Sequence, residues 1–274
     1  MKRTSKELKR MSRQTLLGHY GLVVLAYFLC QAITGILTAP FERQINAYNR
    51  AIALQTPSSF PFVAVLAILI IALLVFILNV GQMKLHLDLA RGEQPTISAL
   101  FSQFKNRPDR YIISVILLTI LSVLLLAPGM VMLIVASILE NDPGFAVSVG
   151  IWIAGGTLTF IGTVLAIFFA LRFSLVNYFL IDDSSIGCLG ALKASFQSMK
   201  GHCGRRLYII LSFIPMALLV LLSFGIASFW IQPYMFMTDV HFYLDVIGEL
   251  TRREEEARRL DEEMGPMMTD EYFR

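Results

Sequence analysis

The 274 residues are 56% hydrophobic and 16% charged, with 23 Lys and Arg against 20 Asp and Glu for a formal net charge of +3. That balance excludes a water-soluble globular domain, which could not hide so much apolar surface. It also argues against nucleic acid as a partner, because the bases come without stacking aromatics or a groove-reading motif.

The apolar residues fall in uninterrupted blocks near the length, about 20 residues, that a hydrocarbon core of roughly 30 Å requires. A basic segment, residues 1–18, comes first; as a helix it sets Leu8, Met11 and Thr15 on one side and is weakly amphipathic. The first block, Gly21 to Thr38, ends at Pro40 without a small-residue cleavage site, so it is expected to be a retained span. The second, Phe60 to Val80, has Pro57 and Pro61 near its start, where a missing N–H costs little.

In the loop Gln82 to Arg110, the spacing of Ile97, Leu100, Phe101 and Phe104 predicts a short amphipathic helix started by Pro95 and N-capped by Thr96. So short a helix is expected to rest on the membrane interface or dock on the bundle. The third block, Tyr111 to Leu139, carries Pro128 and Gly129, which predict a kink or a tilt. The fourth, Phe145 to Ile181, holds Gly150, Gly155, Gly156, Gly162 and Arg172, and reads either as one tilted helix or as two pieces.

The loop Asp182 to Arg206 predicts a second interfacial helix, with Ile186, Leu189, Phe196 and Met199 on its apolar face and Asp183 or Ser184 as cap. The fifth block, Leu207 to Ile231, is interrupted by Ser223 and Gly225. Either it is one tilted span, or the chain turns near Gly225 and a weaker sixth span starts near Ala227; the second reading is preferred. The expected fold is an all-α transmembrane bundle of five or six spans with short cytoplasmic interfacial helices. Its parts are the basic segment 1–18, the bundle 19–247 and a charged tail 248–274.

Lys and Arg are retained in cytoplasmic loops, and their distribution sets the orientation. Lys2, Arg3, Lys6, Lys9, Arg10 and Arg13 precede the first span; Lys84, Arg91, Lys105, Arg107 and Arg110 follow the second; Lys193, Lys200, Arg205 and Arg206 follow the fourth. The other side has Arg43 and Arg50, and the loop at Glu140 and Asp142 has no base. The N-terminus is therefore expected in the cytoplasm. The tail interleaves Arg252, Arg253, Arg258 and Arg259 with Glu249, Glu254, Glu255, Glu256, Asp261, Glu262 and Glu263, a pattern for a solvated helix with pairs such as Glu249–Arg253 and Glu254–Arg258.

No catalytic constellation emerges. His19, His86, His202 and His241 lack metal-ligand spacing, and neighbours such as His202 and Cys203 point apart on a helix, so neither a metal nor a cofactor is expected. Cys30, Cys188 and Cys203 suggest no disulfide. Ionisable groups inside spans are expensive and are functional candidates for that reason. Arg172 leads, with Asn79 and Asn177 as polar companions; the competing structural role for Arg172 is to snorkel or to pair with Asp239 or Asp245. Gly150 with Ala154, and Ala166 with Ala170, are small-xxx-small pairs for close packing. Phe101, Phe104, Lys200 and His202 are candidate interfacial or docking residues.

The stretch Arg172 to Ile214, with its Ala194, Ser195, Met199, Lys200, Gly201, His202 run and Leu211, Ser212, Phe213, Ile214 after it, resembles the signature of a family of bacterial multi-span membrane proteins, domain of unknown function 975. Trp230, Pro233, Tyr234, Phe242 and Tyr243 fit the same pattern, as do Leu100, Phe101, Phe104, Lys105 and the basic N-terminal segment. Departures are Pro215 and Met216, where Gly and Trp are expected, and Cys203, where Lys is usual. The resemblance extends to about Tyr243 and implies an integral membrane protein without an established activity. The expected function is a non-enzymatic scaffold or accessory protein of the bacterial cytoplasmic membrane; the alternative is a transporter or channel subunit. The expected partners are the bilayer, through anionic headgroups at the cytoplasmic face, and a membrane protein or a second copy of the chain.

Overall fold

In a hydrocarbon layer the backbone must satisfy itself, and long apolar blocks do so as helices. The computed structural model describes residues 3–140 and 149–272, with the backbone alone for 261 and 263–272. Asp142 and Phe145, and the side chains of Asp261 and Glu263, lie outside that description. In chain order the helices are α1 (Ser5–Leu16), α2 (Tyr20–Ala53), α3 (Phe62–Ala90), α4 (Ala99–Lys105), α5 (Pro108–Glu140) and α6 (Val149–Arg172). There follow α7 (Val176–Asp182), α8 (Cys188–Ser198), α9 (Cys203–Leu211), α10 (Ile214–Leu222), α11 (Ser228–Val246) and α12 (Glu249–Tyr272). No strand occurs among the described residues. Five stretches are long and apolar enough to cross a membrane: α2, α3, α5, α6 with α7, and Cys203–Leu222. The chain is a multi-pass helical membrane protein.

The helices form two compact units, residues 1–102 with 208–274, and residues 103–207. In the first unit, Thr4 opens α1 with a capping box: its hydroxyl accepts from the Glu7 N–H, and the Glu7 carboxylate accepts from the Thr4 N–H at 2.7 Å. The α1 face Ser5, Leu8, Ser12 and Leu16 is buried against α11. Gly18, in the left-handed region at φ +87°, turns the chain into α2.

Two sequence boundaries move. The helix of the first block continues through Pro40 to Ala53, since losing one backbone bond costs about 3 kcal/mol and does not end a helix of this length. The second span likewise runs past Val80, and what reads as the start of a loop is the end of α3: Gln82, Leu85, His86, Leu87, Asp88 and Leu89 are buried there, where α3 packs on α11.

The fifth block does turn at Gly225, which sits at φ +91°, and α11 follows from Ser228. Leading into that turn, Cys203–Leu222 is broken between α9 and α10 just before Pro215, which has no N–H to continue the ladder. The arms α10 and α11 are pinned together at their base, where the rings of Phe213 and Tyr234 meet edge-on at 5.5 Å. At the other end of the hairpin, Phe229 packs on Tyr27 and Phe28, within the first three turns of α2. Phe224, in the turn itself, is 97% exposed.

Arg3, just before α1, reaches Asp245 near the end of α11 at 3.0 Å and Glu254 in α12 at 2.7 Å. Groups in contact cannot lie on opposite sides of a layer about 30 Å thick. An even number of crossings therefore separates α1 from α12.

The second unit is led by the antiparallel pair α5 and α6. Gly129 of α5 lies against Thr159 of α6, Gly162 of α6 against the Leu125 carbonyl, and Gly155 against Leu133; a side chain at any of these would strike the facing helix. The close-packing residues are thus these glycines, whereas Gly150 is exposed. Helix α5 runs unbroken through Pro128. The fourth block resolves as two pieces, α6 and α7, parted at Phe173–Leu175.

Candidate functional site

The intramembrane candidates divide between the units. Asn79 belongs to the first, half-buried in α3; Arg172 and Asn177 belong to the second, on α6 and α7. The Arg172 guanidinium donates to the Phe196 carbonyl near the end of α8 at 3.0 Å and lies 4.5 Å from the Phe196 ring centroid and 5.4 Å from that of Phe168. A cation at a helix C-terminus and over aromatic faces is held by both fields. Asp245, weighed as a partner for Arg172 in the sequence, is instead bound to Arg3.

Beside Arg172, Ser195 of α8 fills the gap that opens where α6 gives way to α7. Its hydroxyl donates to the Arg172 carbonyl at 2.9 Å and accepts from the Leu175 N–H at 3.3 Å. Arg110 of α5, fully buried, donates to the Asp183 and Ile186 carbonyls at 3.0 and 2.9 Å and so fixes the α7–α8 connection. Tyr111 beside it donates to Gln103 at 2.7 Å. The Asp183 carboxylate accepts from the Ser185 hydroxyl and N–H, and these bonds hold it below the usual carboxylate range.

The two predicted short helices form, with different faces from those the spacing suggests. In α4, Leu100 is buried against Gly81 and Phe101 is half exposed; the helix starts at Ala99, and the Thr96 hydroxyl pairs with Ser98 rather than capping it. Phe104 is partly buried. In α8 the buried residues are Cys188, Ala191 and Ser195, with Met199 at its end, while Leu189 is 74% exposed and Phe196 38%. Lys200 is exposed and His202 partly buried, in the turn before α9. Phe101 belongs to the first unit, and Phe104, Lys200 and His202 belong to the second.

What the first unit does gather is charge. Along α1, Lys6, Lys9, Arg10 and Arg13 recur at i, i+3, i+4 and i+7 and line a recess of about 840 Å³ with Ser5, Gln14, Leu17, Tyr20, Tyr208 and Ser212. Lys9 Nζ donates to the Ser212 carbonyl at the α9–α10 break, at 3.1 Å, and stands 4.0 Å from the Phe213 ring centroid. Burial, and then the charge of Arg13, pull the Lys9 ammonium below its ordinary pKa. Arg13 lies over the Tyr234 ring. Beneath this face His241 of α11 donates from Nδ1 to the Met237 carbonyl at 2.9 Å and meets Ser12 and Thr15 at 3.3 Å, which locks α1 down.

A second ionic cluster joins α3 to α12. Glu249 accepts from Arg91 at 2.8 and 3.2 Å and from Arg253, which also donates to the Ala90 carbonyl. Burial would raise the Glu249 carboxyl, but the two guanidiniums outweigh it and the pKa falls. The pair Glu249–Arg253 expected from the tail is present; Glu254, expected to pair with Arg258, takes Arg3.

Neither a curated protein nor a solved structure matches the chain. A family described as protein of unknown function (DUF975) does match, over residues 1–249, ending where α12 begins. With the match extending through the bundle, the chain belongs to the DUF975 family.

Proposed function

We propose that this is a non-enzymatic scaffold or accessory protein of the bacterial cytoplasmic membrane, with its N-terminus on the cytoplasmic side. The observation that carries the reading is the docked, basic α1. A topology signal alone needs only the charges, whereas here the helix is capped, locked to α11 through His241, and bound to α12 through Arg3. Such a rigid basic face, continued by the α3–α12 ionic cluster, suits anionic headgroups and a partner protein at the inner surface. Transport through Arg172 has less support, since its guanidinium is engaged by the Phe196 carbonyl and two rings.

The test is photo-crosslinking in native membranes from single exposed positions on α4, in the turn after α8 and on α1: Phe101, Lys200 and Lys6. A reproducible partner, or a second copy, at one of them is the expected result. The scaffold reading is abandoned if none is recovered, and transport takes its place if Arg172→Leu abolishes a flux in reconstituted vesicles.

A further inference from the structure

Four cations converge on the α1 recess, and α1 cannot swing away to relieve them because Leu8, Ser12 and Leu16 are buried beneath it. Among the described residues, none that lines the recess is a carboxylate. The opposite flank of α1 differs: there Glu7, Glu254 and Glu255 stand among Arg3, Arg10 and Arg258, and the charges answer one another. The acids thus stand on one flank only, Arg10 borders both, and the recess itself is lined by bases without a carboxylate among the described residues. Like charges held together in the folded chain are a standing cost that a bound anion removes.

The donor set indicates which anion. Lysine and arginine side chains are joined by the phenols of Tyr20 and Tyr208, and such a set suits a tetrahedral group with several acceptor oxygens. The rim is apolar: Leu17 is 69% exposed and Tyr208 65%, and Ile210 and Leu211 continue the exposed apolar surface along α9. We infer that the recess binds a phosphate group, presented by the headgroup of an anionic phospholipid whose acyl chains lie along α9. This deepens the proposed function, since it rests on α1 lying at the membrane surface.

The test uses the full chain in dodecyl maltoside, titrated with dihexanoyl phosphatidylglycerol, dihexanoyl phosphatidylcholine or inorganic phosphate, with adducts counted by native mass spectrometry. Phosphatidylglycerol is expected to bind well above phosphatidylcholine. The double variant Lys6→Gln/Arg10→Gln, both exposed residues, is expected to weaken it by roughly tenfold or more, from about 1 kcal/mol per charge. Lys105→Gln/Lys193→Gln, which removes the same charge elsewhere, should leave it unchanged. Equal binding by the two double variants overturns the site. Inorganic phosphate binding as tightly as phosphatidylglycerol, and lost in the first variant alone, upholds the phosphate site and overturns the lipid as its source. Detergent binding needs no protein partner, so failure here leaves the scaffold reading standing, and an absent crosslinked partner leaves the recess standing.

Discussion

Ser195 is a fully buried hydroxyl that completes the backbone at a helix break, accepting from one orphaned group and donating to another. Ser195→Ala is expected to cost about 1–3 kcal/mol, the penalty for stranding buried polar groups. Thermal unfolding in detergent measures it, and faster hydrogen exchange at Leu175 would locate it. Glu249 supplies a pH signature. Its folded-state pKa lies below the ordinary 4.5, so its contribution is fully present above that value and is lost as pH falls through the lower folded one. Wild type should therefore lose its stability advantage over Glu249→Gln on acidification below about pH 4.5; an advantage constant down to pH 3 would contradict the ionic role. At this scale the sequence was partly legible. Glu249–Arg253 follows from helical spacing alone, but Arg3, Arg91 and Asp245 find partners more than 150 positions away, and no local pattern encodes that.

Helices α5 and α6 approach closely because glycines remove the side chains that would hold them apart. Gly162→Val would drive a side chain into the Leu125 carbonyl and should reduce the folded fraction sharply, whereas Gly156→Val, at an open position, should be nearly neutral; denaturation of both variants in mixed micelles compares them. Hydropathy located the spans and the short helices, but it misassigned the faces of α8, where Leu189 points outward and Ser195 inward. The physical reason is that lipid accepts leucine as readily as a protein interior does, so apolar periodicity no longer marks the buried side. The cation recess was missed for a related reason. The sequence shows its four bases as part of a basic segment suited to a membrane surface, and only the docking of α1 reveals that they converge.

For the whole molecule, the contact of Arg3 with Asp245 and Glu254 puts α1 and α12 on one side of the layer, so Cys203–Leu222, one of the five stretches long and apolar enough to cross, either returns through α11 or does not cross. With single cysteines in a Cys-free background, an impermeant maleimide applied to intact cells should label Ser58→Cys, and should miss Lys6→Cys and Glu256→Cys together. Labelling of Glu256→Cys without Lys6→Cys would refute the even count. The hairpin of α10 and α11 carries one more consequence. Nine residues of α10 rise about 14 Å, under half of a hydrocarbon layer of roughly 30 Å. A hairpin entering only that far from the α1 side would displace acyl chains from the near leaflet while leaving the other its full complement. The two leaflets would then meet this part of the protein at unequal area, and the more tightly the near leaflet is packed, the greater would be the work of holding Phe224 within it.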